Sequence, residues 1–403
     1  MSEISPFRAI RYNPSKVPNS SVAICPPYDV ISVPEYHRLL ERSPVNLARV
    51  ELPMAHKKGD RYALAAKFWR RWQNQRILVE DRQPAYYGYE QRFTVGTETH
   101  FRRGFFAALK LEAPGKGSIR PHERTFPKHK EDRLKLMRAT QANISPIFGI
   151  FPSQNKIQTQ IVDLMTEKPT TTARDDRGVT HRLWRWTDPK VIAALTAAVK
   201  RVDVLIADGH HRYETAWNYA QEQRSKSKRA AAGYVMTFLC PLEDPGLVIQ
   251  PTHRAVRWDS DFAEWERRID PIFSMQRVDS LTSLLNRMRA HTGVPAIGMI
   301  VSGGGLFWLK PKNGKTIALP VVPLHERILK GIPLENISYN QDPRAAVEAV
   351  QRAEANVAFL LPPPDKDAFA KLCKSGHLLP QKSTYFFPKV VTGFVMRSLK
   401  GEI

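Results

Sequence analysis

The residues best suited to chemistry lie in the segment VLIADGHHRYET, residues 204–215. An apolar run ends at Asp208, and Gly209 after it lets the backbone come close to a ligand. If a helix starts here, its first amide groups point outward and favour an anion. The guanidinium of Arg212 has the fork shape that matches phosphate oxygens. The segment therefore predicts a phosphate-binding or nucleotide-binding turn.

Other side chains of this turn are suited to the reaction itself. Asp208 can cap the helix or hold a Mg²⁺ ion, while His210 and His211 can donate to phosphate or transfer protons near neutral pH. The alternative is a capped helix with incidental histidines, but the meeting of these residue types at one helix start favours function. Adjacent histidines project differently, and no cysteine or HExxH pattern accompanies them, so zinc is not favoured. The identity of any metal stays open.

A second polar segment reads HERT at 122–125, and three basic residues follow it at 128–130. Glu123 is a candidate general base toward a substrate hydroxyl. Arg124 and Thr125, with the neighbouring lysines, are candidates for holding phosphate. The alternative is a solvated loop with surface ion pairs.

Two further motifs carry candidate site residues. In PPYDV at 26–30, Tyr28 and Asp29 either line a pocket or cap the following helix. In PQKSTYFFPK at 380–389, Lys382 and Ser383 are suited to phosphate contact, whereas the aromatic run is more typical of packing.

The elements that must position these residues alternate between helix and strand. Helices are predicted at 34–42, 59–75, 132–142, 190–200, from 213 onward, and at 261–268, 280–291, 323–330 and 342–353. Strands are predicted at 85–95, 99–111, 146–151, 202–207, 233–239, 296–301, 306–309, 316–319, 356–361 and 390–396. This alternation predicts a mixed α/β (α+β) fold.

The length of the chain and a segment rich in turn-forming residues predict two domains. The 403 residues are enough for more than one core, and a Pro- and Gly-containing interruption falls at 244–251. We expect a phosphate-site domain with an N-terminal extension at 1–245, and a mixed α/β domain at 246–403 packed on it.

The charge balance is strongly basic. There are 61 Lys and Arg residues against 39 Asp and Glu residues, a net charge of +22, which attracts nucleotides, phosphorylated metabolites or nucleic acid. Three isolated cysteines form neither a CxxC site nor a disulfide framework. The start of the chain lacks the apolar core of a signal peptide, and no apolar run is long enough to span a bilayer. We therefore expect a cytoplasmic protein with no membrane partner; its oligomeric state stays open.

Taken together, the segments PPYDVIS, RPHERT, SPIFGIF, ADGHHRYETA and LPQKSTYFFPK resemble the bacterial and archaeal proteins of domain-of-unknown-function family 1015. The matching segments run over nearly the whole chain, from about residue 5 to 397.

The strand, the DGHHR turn and the helix also resemble the ParB/sulfiredoxin superfamily, which includes ADP-dependent kinases of free serine. The resemblance implies a ParB/sulfiredoxin-like core in which residues 208–212 bind nucleotide phosphates. It also implies a glutamate base, for which Glu123 is our candidate without a shared motif to align it. The turn lacks the catalytic cysteine of sulfiredoxins, and no helix-turn-helix of the kind ParB uses is found.

These observations predict a phosphoryl-transfer enzyme, either a kinase or a phosphatase. Its substrate is expected to be a small hydroxylated metabolite such as free serine or phosphoserine, with ADP or ATP and Mg²⁺ as expected cofactors. The alternative is a non-catalytic protein that binds nucleotide or nucleic acid through its basic surface.

Overall fold

The computed structural model describes residues 1–54, 60–123, 127–153, 156–224, 230–290, 295–312, 317, 319–376 and 378–403. The chain forms two compact units. Unit 1 comprises Met1–Val248 and Pro388–Ile403, and unit 2 comprises Ile249–Phe387. The sequence predicts that all of 246–403 forms the second domain, but the segment Pro388–Ile403 belongs with unit 1.

Strands and helices alternate through the described residues. The strands are β1 Ile4–Ser5, β2 Ala9–Tyr12, β3 Leu78–Glu80, β4 Tyr87–Val95, β5 Glu98–Lys110, β6 Ile119–Arg120, β7 Ala142–Asn143, β8 Ile147–Phe151, β9 Thr171–Arg174, β10 Thr180–Leu183, β11 Val204–Asp208, β12 Tyr234–Pro241, β13 Val248–Gln250, β14 His253–Val256, β15 Phe273–Arg277, β16 Ile297–Val301, β17 Gly305–Pro311, β18 Ile337–Asn340, β19 Val357–Leu360, β20 Tyr385–Phe387 and β21 Met396–Ser398. The helices are α1 Val33–Arg42, α2 Ala48–Glu51, α3 Arg61–Asn74, α4 Pro127–Thr140, α5 Lys156–Leu164, α6 Pro189–Lys200, α7 His210–Arg224, α8 Phe262–Ile269, α9 Leu281–Ala290, α10 Val321–Pro323, α11 Pro343–Gln351 and α12 Lys366–Lys374. The predicted mixed α/β class is confirmed.

The main sheet of unit 1 has the strand order β6-β11-β8-β12-β5-β4-β10-β9, and β1 pairs with β5. The pairs β6/β11 and β8/β12 are parallel, and the other pairs are antiparallel. The strands predicted at 85–95 and 99–111 form the hairpin β4/β5, whose turn includes Gly96 at φ +62°. The sheet carries β11 between two neighbours, so the strand that leads into the DGHHR turn is fixed on both edges.

Burial explains why β11 and α7 form where they do. Val204, Leu205 and Ile206 are almost fully buried, as the apolar run predicts. Helix α7 places Tyr213 and Ala216 in the same apolar core, and it also packs against α4. The helix begins three residues earlier than its predicted start at Tyr213, because the polar turn residues already have helical backbone.

A second sheet of unit 1 joins the two ends of the described chain. Its strand order is β3-β2-β21-β7, and every pair in it is antiparallel. The sequence predicts one strand over 390–396, but the regular strand is limited to β21. Gly393 adopts φ +107°, a backbone conformation that interrupts an extended strand.

Unit 2 contains a sheet of order β15-β17-β16-β19-β14-β18, in which all pairs are antiparallel. Helices α9 and α11 pack on its strands. The helix predicted at 323–330 is a short α-helix followed by a π-helix at Leu324–Ile328. In the strand predicted at 316–319, residues 316 and 318 lie outside the described residues, and 317 and 319 are not in a strand.

Among the described residues, the helices are too short or too polar to cross a bilayer.

Candidate active site

The turn at 208–212 connects a buried strand directly to a helix, as predicted. Strand β11 ends at Asp208 and α7 begins at His210, and the Tyr213 N–H donates to the Gly209 carbonyl oxygen at 2.9 Å. Gly209 has φ +90°, and a Cβ atom there would lie 3.1 Å from Arg212 and from Ile147. The backbone angle favours glycine, and an added Cβ would also require Arg212 or Ile147 to shift by a few tenths of an ångström.

The carboxylate of Asp208 lies between two cations. Its Oδ2 accepts from Nη2 of Arg212 at 2.5 Å, and its Oδ1 accepts from Nζ of Lys389. Burial alone would raise the pKa of Asp208, but Lys389 and Arg212 outweigh it, so the pKa of the carboxyl lies well below its usual range. One negative charge therefore meets two positive charges, and the trio keeps one net positive charge at the start of a helix.

The guanidinium of Arg212 points partly into the protein. Nη1 donates to the carbonyl oxygen of Pro146, and the residue is only 7% exposed. Burial would lower the pKa of Arg212, but the negative charges of Asp208 and Asp29 outweigh this, and the pKa is raised. The sequence predicts that the guanidinium fork of Arg212 contacts phosphate, whereas in the structure part of the fork contacts Pro146 and Asp208 and fixes the shape of the turn.

A histidine pair connects the turn to the predicted base. The backbone N–H of His122 donates to Nε2 of His210 at 3.2 Å, and the two rings meet edge to face with centroids 4.5 Å apart. Nδ1 of His122 donates to the Ile206 carbonyl oxygen at 2.6 Å, and its Nε2 lies 3.5 Å from Oε1 of Glu123. Nε2 of His122 is thus the nitrogen that can exchange a proton with Glu123.

The histidines of the turn have different surroundings. Burial and the charge of His122 lower the pKa of His210 to about 3, while Glu123 opposes this shift. His210 therefore stays neutral near pH 7. His211 is only partly buried.

The Tyr28 segment lies beside the same turn. Burial and Asp29 raise the pKa of Tyr28 to about 12, and the charge of Arg212 opposes this. The guanidinium of Arg133 stacks over the Tyr28 ring at 4.0 Å from its centroid. The structure thus brings Tyr28 and Asp29 within electrostatic range of Arg212.

A buried carboxyl group that sequence reasoning missed supports this region. Glu51 is 1% exposed; Ser145 Oγ donates to its Oε1 at 2.9 Å, and Nη1 of Arg133 lies 3.8 Å from the same oxygen. Burial raises the pKa of Glu51, with Arg133 and Arg212 opposing it. A cavity of about 30 Å³ borders Glu51, Arg133 and Arg212, which is enough for a bound water. The polar residues around the turn therefore continue into the interior of unit 1.

Lys389 is the principal residue that sequence reasoning missed. Nε2 of Gln91 donates to the carbonyl oxygen of Lys389 at 2.9 Å, and the fully buried Arg102 donates to the carbonyl oxygen of Pro388. These contacts fix the backbone that brings the Lys389 ammonium to Asp208. A signal was present, since Lys389 ends the PQKSTYFFPK motif.

The remaining candidates are not brought to the turn by any described contact. Arg124 and Thr125 lie outside the described residues. Lys382 and Ser383 belong to unit 2, where Lys382 is exposed and Ser383 Oγ donates to the Pro380 carbonyl oxygen at 2.5 Å. Their assignment to phosphate stays a prediction.

The donor set at Asp208 does not fit a directly bound Mg²⁺. Each of its carboxylate oxygens already faces a cation, and the positive charges of Arg212 and Lys389 would repel a Mg²⁺ ion bound there. Nor do three or more His, Cys, Asp or Glu side chains converge elsewhere in the described ranges in a way that could hold a metal. Lys389 and Arg212 provide the positive charge at this carboxylate.

Comparisons with solved structures give distant matches. A conserved hypothetical protein from Pyrococcus furiosus is 14% identical, with a TM-score of 0.36 over 69% of this chain and 92% of that chain. A free serine kinase in complex with AMP is 14% identical, with a TM-score of 0.37 over 69% of this chain and 89% of that chain. C-terminally truncated SbnI from Staphylococcus aureus is 10% identical, with a TM-score of 0.42 over 74% of this chain and 90% of that chain.

No curated protein matches the chain at a significant level. A family model does match, over residues 4–331, which is most of the chain and includes the turn and Glu123. The chain belongs to the family described as "Protein of unknown function (DUF1015)".

Proposed function

We propose that this protein is a phosphoryl-transfer enzyme, a kinase or phosphatase, that acts on a small hydroxylated metabolite such as free serine or phosphoserine. The observation that carries the proposal is the strand-to-helix turn at 208–212, which combines a helix start with a net positive trio and adjoins a carboxylate–histidine pair. Phosphoryl transfer depends mainly on positioning and charge neutralisation, and these are what the turn offers.

Phosphate binding is assigned to the start of α7. The first turn of a helix presents amide groups that its own hydrogen bonds do not satisfy, and the helix dipole adds partial positive charge. The excess charge of Asp208, Arg212 and Lys389 acts in the same direction. Because these three side chains are largely buried, solvent screens their charges less than it screens surface lysines.

The role of accepting the substrate's hydroxyl proton is assigned to Glu123, next to which His122 lies. In the kinase direction, the substrate hydroxyl gives its proton to Glu123 while the hydroxyl oxygen forms a bond to the phosphorus of the transferred group. The bond between that phosphorus and the donor's bridging oxygen breaks, and its electron pair leaves with the donor. His122 Nε2, 3.5 Å from Glu123, can share the proton.

ADP or ATP is the proposed donor. Mg²⁺ belongs to this proposal only as an ion that arrives on the nucleotide, because Asp208 does not offer it free oxygens. A phosphatase would use the same phosphate site with water in place of the substrate hydroxyl.

The test is calorimetric titration with ADP and with ATP, each with and without Mg²⁺. We expect Lys389→Met to weaken nucleotide binding by about tenfold or more, since it removes a charged contact near the phosphates. Lys389→Arg should recover part of the affinity, and Lys400→Met, at an exposed lysine, is the matched control. If the wild type binds neither nucleotide, the kinase is ruled out and hydrolysis of small phosphate esters remains to be assayed.

The net charge of +22 supports a second candidate, a non-catalytic protein that binds nucleotide or nucleic acid. This candidate predicts binding without turnover. Product analysis of a reaction with serine and nucleotide separates the two candidates.

A further inference from the structure

Unit 1 also has a charged cleft, none of whose lining residues belongs to the turn at 208–212. Its volume is about 610 Å³. It is lined by Arg11, Asp81, Arg82, Gln83, Thr170 and Arg185.

One carboxylate organises this cleft. Nε and Nη2 of Arg11 donate to the two oxygens of Asp81 at 3.0 and 2.6 Å, and the Tyr87 hydroxyl donates to Oδ2 at 2.8 Å. Nη2 of Arg185 donates to the Gln83 carbonyl oxygen at 3.0 Å, and its Nε lies 3.6 Å from Asp81. Two guanidinium groups are therefore held in place before any ligand arrives.

The cleft keeps a surplus of positive charge and of donors. Three arginines face one aspartate, so its net charge is 3 − 1 = +2. Each guanidinium has five N–H donors, and Arg11 directs two of them to Asp81. Nε of Arg185 is buried and makes no hydrogen bond among the described residues. Arg82 is exposed at the edge of the cleft.

We propose that this cleft is a second anion site, which binds a phosphate group. The N–H groups of Arg11 and Arg185 that are not directed to Asp81 and Gln83 can donate to phosphate oxygens, and a net charge of +2 matches the dianion of a phosphomonoester. The phosphate comes either from a small phosphorylated molecule or from a nucleic-acid backbone. This site does not depend on the proposed reaction, because none of its residues belongs to the turn.

Arginine modification tests the proposal residue by residue. Phenylglyoxal is applied to the full chain with and without inorganic phosphate, pyrophosphate or a short single-stranded RNA, and modified arginines are located by mass spectrometry. We expect phosphate or pyrophosphate to protect Arg82 and Arg185 while leaving Arg8 reactive. Arg8 is the internal control because it is half-exposed and lies outside the cleft. Protection by RNA alone assigns the site to backbone phosphates.

A substitution in the cleft provides a second test of phosphate binding. Arg82→Gln should raise the phosphate concentration needed for half protection of Arg185 by about tenfold, and Arg8→Gln should change it less than about twofold. Arg82 is exposed, so its loss leaves the fold intact. Equal reactivity of Arg82 and Arg185 with and without all three probes overturns the proposal. That result leaves nucleotide binding at the turn untouched, so the two claims fail separately.

Discussion

The imidazole of His210 is held in its neutral form by its neighbours. Its Nε2 accepts the His122 N–H, which requires that this nitrogen carry no proton. Burial and the charge of His122 lower its pKa in agreement with that geometry. The sequence predicts that the turn histidines donate to phosphate or transfer protons, whereas in the structure Nε2 of His210 accepts a hydrogen bond that holds the backbone of His122 in place. Glu123, with His122 beside it, and His211 remain the candidates for proton transfer.

We predict that His210 makes the protein less stable in acid. Its pKa is about 3 when folded and about 6.5 when unfolded, so between these values the unfolded chain binds more protons and stability falls as the pH falls. From about pH 7.5 to about pH 4.5, this group should remove about 3 kcal/mol of unfolding free energy. Urea unfolding should show a shallower acid loss for His210→Gln than for wild type, with exposed His37→Gln as control. Equal slopes in all three would contradict the assignment.

Glu123→Gln should separate catalysis from binding. We expect turnover to fall by about 10²–10⁴-fold with nucleotide affinity nearly unchanged, because the amide cannot accept the proton. Steady-state kinetics and calorimetry measure the two effects. Glu98→Gln, at an 80% exposed side chain, is the control. Full activity in Glu123→Gln would move the base to His211 or Asp29.

At the scale of elements, the strand, the glycine and the helix start could be predicted because each has a local signal. The apolar run of β11, the single Gly209 and the polar start of α7 are adjacent in sequence. The Asp208–Lys389 pair could not be predicted in the same way, because it spans 181 positions and no periodicity records such a contact. Glu51 was missed for a related reason: a lone glutamate in a short helix looks like a surface residue.

Gly209→Ala should disrupt the turn more than its backbone angle alone explains. Gly209 and Gly115 both have positive φ, but only at Gly209 would the added Cβ meet side chains, at 3.1 Å from Arg212 and Ile147. Gly115→Ala therefore measures the backbone cost, about 1 kcal/mol. We expect Gly209→Ala to lower the free energy of unfolding, measured with denaturant, by at least about 1 kcal/mol more than Gly115→Ala does. Gly209→Ala should also weaken nucleotide binding. Equal losses of unfolding free energy in Gly209→Ala and Gly115→Ala would mean that Arg212 moves away from the added Cβ at no energetic cost.

At the scale of the whole molecule, unit 2 is an insertion within the chain of unit 1. The predicted boundary after residue 245 lies near the observed one at Val248, where proline and glycine give a signal. The return of Pro388–Ile403 to unit 1 has no such signal, because it depends on β21 pairing with β2 and β7.

We predict that a chain ending at residue 387 cannot complete unit 1. The deletion removes several buried apolar side chains: Val390, Val391, Phe394, Val395, Met396 and Leu399. At about 1.5–3 kcal/mol each, their loss is comparable with the whole stability of a domain. Hydrogen exchange should show β11 and α7 unprotected. A chain ending at Lys400 is the control and should keep wild-type protection, whereas protection in the shorter chain would show that unit 1 folds without this segment.

The distance along the chain between Asp208 and Lys389 also sets an order of events during translation. At about 5–20 residues per second, roughly 10–40 seconds pass between the synthesis of Asp208 and that of Lys389. Throughout that interval, Asp208 and Arg212 are present without the second cation. The nascent chain can therefore form the hairpin β4/β5 early, but the turn gains its net positive charge only after unit 2 has been synthesised.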